Sequence, residues 1–292
     1  MILVATSLMA FQDALIKAMS TDLPLWQLFL IRSAIALPVL LVLSRNQIGE
    51  LIKALMMPWL MVRSLLIVAM YVAFYAAMPA VELPIVAACY YTGPVMIVIL
   101  SAVFLRDLIR PAQVLAVVLA FSGVLIVLRP TGDAFTPAAL VPLISALCYA
   151  IAAVLTKANA TEASPWALTV SVNLAFVLIG ATGVGLLTII SPEPSYPFLL
   201  ENWVSVSNET VGNLILLAAV SVAIHLGLAR AYQVGPIGTV ASLDYAYLIF
   251  AAIWGFVFFG TVPDNLVIIG TALIAAAGLW ATVAKPYSSQ RA

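Results

Sequence analysis

Ten apolar stretches of membrane-crossing length divide this chain, and they come as two sets of five. A spanning helix needs about 20 mostly apolar residues. The predicted spans are 2–19, 24–44, 58–78, 83–104, 112–129, 138–156, 165–190, 212–233, 237–259 and 264–284. Two segments show the repetition. Pro84–Asp107 reads PIVAACYYTGPVMIVILSAVFLRD and Gly238–Thr261 reads GTVASLDYAYLIFAAIWGFVFFGT, so an offset of 154 lays Phe104 on Phe258 and Asp107 on Thr261. Met9–Lys17 and Tyr149–Lys157 likewise both end an apolar run on a lysine. Five spans per repeat is an odd number, so the second copy sits upside down in the bilayer. Inverted repeats of this kind are a plan used by secondary transporters. The expected fold is an all-α integral membrane protein with a first five-helix repeat over 1–133 and an inverted second over 134–292.

Composition agrees with the spans. Of 292 residues, 65% are apolar and 8% are charged, against roughly 25% charged in a soluble domain; the mean hydropathy is +1.18. The first span holds Asp13 and Lys17 and is not followed by a small-residue cleavage site, so it reads as a retained helix rather than a signal peptide. Net charge is zero and no basic run points to nucleic acid. Cys89 and Cys148 lie in different spans and read as unpaired small hydrophobes. One histidine and no paired-thiol spacing leave a metal site without support, and no cofactor is expected.

Charge placement sets the orientation. With ten spans, the side holding both termini carries Arg45, Lys53, Arg106, Arg110, Lys157, Arg230, Lys285 and Arg291, while the other carries only Lys17 and Arg129. Lys and Arg in short loops stay cytoplasmic, so both termini are predicted inside. Trp26, Trp59 and Trp166 near helix ends read as interfacial belt residues. The longest loop, about 191–211, is either a cap over the outer vestibule or a plain surface connector.

The pattern resembles the drug/metabolite transporter superfamily, specifically its ten-helix EamA-type members. The resemblance is carried by VFLRDLIRP (Val103–Pro111) and its counterpart VFFGTVPD (Val257–Asp264). Also similar are LAVVLAFSGVLIVLRP (Leu115–Pro130), VIIGTALIAAAGLWATVAKP (Val267–Pro286) and FQDALIK (Phe11–Lys17). Arg106 stands where the family usually has glycine, and Thr261 where a second acidic residue is usual. Asp13, Lys17, Arg32 and Arg63 together look most like the branch that contains S-adenosylmethionine uptake carriers. The resemblance implies two inverted four-helix baskets around a central cavity, with the fifth and tenth helices outside as supports. It also implies an inner-membrane location and a substrate among amino acids, amines, nucleotides, sugars or their derivatives.

Charges at membrane depth are costly unless paired or hydrated, which makes each a functional candidate. Asp13 and Lys17 are spaced i, i+4 and can share a helix face. At 1.5 Å per residue, Asp13 lies about 9 Å and Arg32 about 12 Å in from the outer helix ends, matching depths for a buried pair or a Lys17–Asp13–Arg32 cluster. That cluster either binds solute or locks two helices together. Arg63 enters from the cytoplasmic side and can snorkel to the headgroups, or grip a carboxylate or phosphate with two parallel hydrogen bonds. His225 and Asp244 both lie about 12 Å from the cytoplasmic face, a matched imidazole and acid that could exchange a proton.

Tyr71, Tyr75, Tyr90, Tyr91, Tyr245 and Trp254 surround these charges in the sequence, as does Tyr247. Such rings either pack helices or bind an amphipathic or cationic solute. Small residues at i, i+4 (Ala112, Ala116 and Ala120; Ala272 and Ala276) permit close packing, internal or between two protomers of a homodimer.

No G-x-x-x-x-G-K-[ST] signature marks a nucleotide-driven pump. Scarce His, Asp and Glu within the spans argue against a membrane enzyme. The expected function is secondary transport of an amino acid or amino-acid-derived metabolite by alternating access, with the proton a candidate coupling ion. An S-adenosylmethionine uptake carrier is the alternative within the class; a channel or non-transporting scaffold is the alternative outside it.

Overall fold

Long apolar runs without internal water must satisfy their backbone polar groups within each segment, and helices do so. The computed structural model describes residues 2–104, 111–129, 136–159, 162–193, 195–234 and 245–283. Among them every regular element is helical: α1 (Ile2–Met19), α2 (Leu25–Leu43), α3 (Ile48–Leu55), α4 (Pro58–Ala77), α5 (Leu83–Tyr90), α6 (Gly93–Phe104), α7 (Pro111–Leu128), α8 (Val141–Ala158), α9 (Pro165–Ile190), α10 (Pro197–Leu200), α11 (Asn208–Val234), α12 (Ala246–Phe259) and α13 (Asn265–Val283). Two short 3-10 turns complete the set. Among the described residues, six helices are long and apolar enough to cross a membrane: α1, α2, α4, α8 with the turn before it, α9 and α11.

Local chemistry sets the helix ends. Ser164 caps α9 by accepting the Ala167 N–H at 3.3 Å, and Pro165 follows at the first helical position, where its missing N–H costs nothing. Asp264 caps α13 by accepting the Val267 N–H at 2.9 Å. Gly260 ends α12 at φ 65°, a left-handed conformation that glycine adopts without strain.

Two elements depart from the apolar pattern. The loop after the second predicted span holds α3, whose Leu51 and Ala54 are buried while Ile48, Glu50 and Lys53 are not. The fourth predicted span, 83–104, is not one helix but α5 and α6, separated at Tyr91–Thr92. Pro94 has no N–H to continue the ladder across this point. Thr92 takes up part of the break, its hydroxyl donating to the Cys89 carbonyl at 2.7 Å. At the offset of 154 the break at Tyr91 corresponds to Tyr245, immediately before α12.

The packing has an exchange property. Replace α1, α2, α4, α6 and α7 by α8, α9, α11, α12 and α13, and vice versa. The contact α1–α12 then becomes α8–α6, α1–α11 becomes α8–α4, and α2–α11 becomes α9–α4; α2–α9 and α7–α13 map onto themselves. Both self-paired contacts are made close by glycine. A Cβ on Gly123 of α7 would lie 2.7 Å from the Gly270 carbonyl oxygen of α13, and a Cβ on Gly180 of α9 would lie 2.8 Å from the Trp26 carbonyl oxygen of α2. The α7–α13 seam runs through Ala120, Gly123, Gly270, Ile274 and Ala277. Ala272 and Ala276 face outward, whereas the side chains of Ala112 and Ala116 lie outside the described residues.

A set of polar side chains is buried among the apolar core, while large apolar side chains are exposed at the perimeter. Asp13, Gln12, Gln27, Arg32, Ser33, Ser64, Ser145, Ser171 and Asn173 are buried, whereas Val42, Ile144, Ile189 and Phe256 are exposed. Such a perimeter suits a lipid surround. The main core joins Leu28, Phe29, Phe74, Tyr75, Tyr91, Phe176 and Tyr247.

Gly123→Val should lower the stability of the detergent-solubilised protein by roughly 1–3 kcal/mol, the usual cost of overpacking. Gly185→Ala, with nothing within 4 Å of the added carbon, should leave the thermal unfolding midpoint unchanged. Equal effects would show that the α7–α13 seam is not close-packed.

Candidate functional site

Asp13 organises the interior. It lies on α1, buried, and both carboxylate oxygens accept tyrosine hydroxyls: Oδ1 from Tyr75 of α4 at 3.0 Å, and Oδ2 from Tyr247 of α12 at 2.5 Å. Gln12 Nε2 donates to the same Tyr75 oxygen at 3.3 Å. A helix from each half of the sequence therefore holds one carboxylate. Charge-assisted O–H···O bonds are the strong kind, and an acid taken this far from water needs them.

Asp13 forms part of the wall of a narrow cleft that is partly open to the surroundings. Met9, Gln12, Met70, Tyr71, Phe74, Tyr90 and Tyr247 complete the lining. Its interior has room for roughly a water molecule or two but not for a metabolite. Rings continue around it: Tyr71 lies 5.4 Å from Tyr75, Phe74 lies 5.2 Å from Tyr90, and Tyr91 stacks on Tyr247 at 5.0 Å with 22° between planes. Tyr245 lies 5.6 Å from Tyr91. Predicted Asp13, Tyr71, Tyr75, Tyr90, Tyr91 and Tyr245 thus belong to one continuous set.

The remaining predicted residues are placed otherwise. Lys17 does not pair with Asp13. Its ammonium donates to the Met78 carbonyl and, at 2.5 Å, to the Val81 carbonyl, satisfying acceptors beyond the end of α4. Arg32 is within electrostatic reach of Asp13, yet Arg129–Asp264 is the only ion pair within 4 Å among the described residues. Arg63 ties helices together: Nε donates to Thr156 Oγ1 at 2.9 Å and Nη1 to the Leu168 carbonyl at 3.3 Å. His225 Nδ1 lies 2.7 Å from the Ser221 carbonyl of its own helix. Asp244, its predicted partner, lies outside the described residues. Trp254 packs at 5.1 Å against Phe11 on the α1–α12 contact and does not line the cleft.

The 191–211 loop is anchored on the bundle. Gln27 clamps Val204 by donating to its carbonyl at 2.9 Å and accepting its N–H at 3.0 Å. Trp26 Nε1 donates to the Leu199 carbonyl at 2.9 Å, and Tyr196 donates to the Ala76 carbonyl at 2.6 Å. Phe198 is buried in the main core.

Sequence reading did not single out Gln12, Met70, Phe74 or Phe176. Gln12 carried a signal, a second polar residue beside Asp13 in an apolar helix. The others are apolar residues among apolar neighbours and gave no contrast.

Tyr247→Phe should cost about 1–3 kcal/mol, because Asp13 keeps its burial and loses one of two hydroxyl donors. Tyr75→Phe should cost a similar amount, and the double variant should depart from additivity, since both donors serve one carboxylate. Strict additivity in thermal unfolding would remove the shared carboxylate as the link.

Residues 1–129 match the EamA-like transporter family. The pseudopaline exporter of Pseudomonas aeruginosa is 25% identical over 266 residues, covering 91% of this chain and 88% of that protein. A riboflavin transporter of Rhizobium johnstonii is 26% identical over 224 residues, covering 76% and 70%. A riboflavin transporter of Vibrio cholerae is 28% identical over 184 residues, covering 63% and 57%. A solved crystal structure, 20% identical, shares the fold with a TM-score of 0.61 over 95% of this chain and 94% of that one. With apolar helices of membrane-crossing length and an inward-facing polar set, the chain is a multi-pass inner-membrane transporter whose first 129 residues match the EamA-like transporter family.

Proposed function

We propose that the chain moves a small amino-acid-derived metabolite across the inner membrane by alternating access. In this reading ten spans form two inverted repeats, 1–133 and 134–292, with both termini cytoplasmic. The exchange property of the helix contacts supports the repeats, and the arginine and lysine asymmetry of the loops supports the orientation. The observation that carries the functional reading is Asp13: a buried carboxylate in an aromatic cleft, held by Tyr75 from one half and Tyr247 from the other. Rocking of one half against the other changes which tyrosines can reach it.

The cleft chemistry selects for an organic cation or ammonium group, since a carboxylate supplies charge and the tyrosine faces supply cation–π attraction. An amino acid satisfies this. S-adenosylmethionine, with a sulfonium and an ammonium, satisfies it too and is the second reading, although the three relatives above are named for pseudopaline and riboflavin. Asp13 is the proposed carrier of any coupled proton among the described residues. The outward faces of Ala272 and Ala276 are the proposed contact of a homodimer.

Purified protein in liposomes, given labelled S-adenosylmethionine or a pool of labelled amino acids with and without a pH gradient, tests this. Saturable accumulation is expected. Asp13→Asn should reduce it by about tenfold or more, equivalent to about 1.4 kcal/mol or more. Non-saturating flux would favour a channel, and no flux beyond empty liposomes would favour a scaffold; either refutes the carrier.

A further inference from the structure

We infer that Arg32 is an anion subsite beside the cleft, taking the carboxylate of a zwitterionic solute or a small free anion while Asp13 takes the cationic group. For its ligand the inference rests on the carrier reading above; its test does not.

Arg32 is 1% exposed, and its Nε, Nη1 and Nη2 have no hydrogen-bond partner among the described residues. A guanidinium offers five N–H donors and no acceptor, so all its directional capacity is unspent. Two aromatic rings lie close to it: the guanidinium carbon is 4.7 Å from the Phe176 ring centre and 5.6 Å from that of Phe29. Arg63 shows what a structural arginine looks like in the same bundle, with its donors placed on Thr156 and Leu168.

The opposite charge is close enough to be felt and is withheld. Asp13 is within electrostatic reach of Arg32 but spends both oxygens on Tyr75 and Tyr247. Two opposite charges buried in one region without pairing match a ligand that carries both. A planar fork with free parallel N–H groups fits a carboxylate.

Access runs through two rings. Tyr71 lines the cleft, its ring lies 5.5 Å from Phe176, and Phe176 covers Arg32. Rotation of Phe176 joins the guanidinium to the cleft.

The test is the melting temperature of the full-length protein in detergent, with HEPES as the sole anion at the start. Chloride is titrated in one arm; tryptophan and S-adenosylmethionine, with tryptamine as the carboxyl-free control, are titrated in another. A saturable rise is expected in wild type, none in Arg32→Met, and tighter apparent binding in Phe176→Leu. Arg32→Met should also melt no lower than wild type in HEPES, because an apolar side chain replaces an unpaired buried charge. A response to chloride alone assigns a free anion. A response to tryptophan or S-adenosylmethionine, without tryptamine, assigns the solute carboxylate. Should Arg32→Met fail to fold, Arg32→Lys serves instead, and the shift must weaken there because the fork is gone. No shift in wild type, or an equal shift in the Arg32 variants, overturns the subsite. An anion shift in a protein that transports nothing would keep the subsite and sink the carrier.

Discussion

A carboxylate that has lost its water must find donors, and Asp13 finds them in two tyrosines contributed by opposite halves of the chain. Much of the interior follows from this constraint. Tyr75 must reach across from α4 and Tyr247 from α12, which fixes how α1 sits between them. The aromatic chain from Phe29 through Tyr75 and Tyr71 to Phe176, and the Tyr91–Tyr247 stack, pack around those two fixed hydroxyls. Buried polar groups with such partners specify one arrangement more sharply than apolar packing alone.

The contacts divide into two kinds. Where α7 meets α13, and α2 meets α9, glycines bring backbones close enough that an added methyl would collide. Such surfaces interlock and resist sliding. Around Asp13 the contacts between halves are hydroxyl-to-carboxylate bonds and ring edges, which can be remade in another geometry at modest cost. A bundle built this way has rigid seams and a re-formable centre. Anchors also occur at the ends of the bundle, where Gln27, Trp26 and Tyr196 fasten the 191–211 loop to α2 and α4.

Spacing along a helix was legible in the sequence and side-chain direction was not. The rise per residue put Asp13 and Arg32 at matching expected levels; it could not say that Asp13 would take the Tyr75 and Tyr247 hydroxyls while Arg32 lies against Phe176. Tyr71 and Tyr75, one turn apart, share a face as spacing requires. Lys17, also one turn from Asp13, swings instead to backbone carbonyls past the end of α4. A flexible side chain near a helix end reaches several acceptors, and sequence cannot rank them. The α5–α6 break was marked by Gly93–Pro94 but hidden by an apolar run that continues across it. Phe176, which covers Arg32, had no contrast with its neighbours at all.

The separation of Asp13 from Arg32 bears on stability as well as binding. A direct ion pair would have answered both charges at once, and breaking a buried pair is costly because each partner is then stranded. Hydroxyl donors around Asp13 hold the carboxylate without engaging the guanidinium. Asp13 can therefore exchange partners one hydroxyl at a time, and Arg32 can accept an anion without first breaking a bond. A carrier must bind and release within the same cycle, so partners that can be traded stepwise serve it better than one deep ion pair that would have to be opened in every turnover.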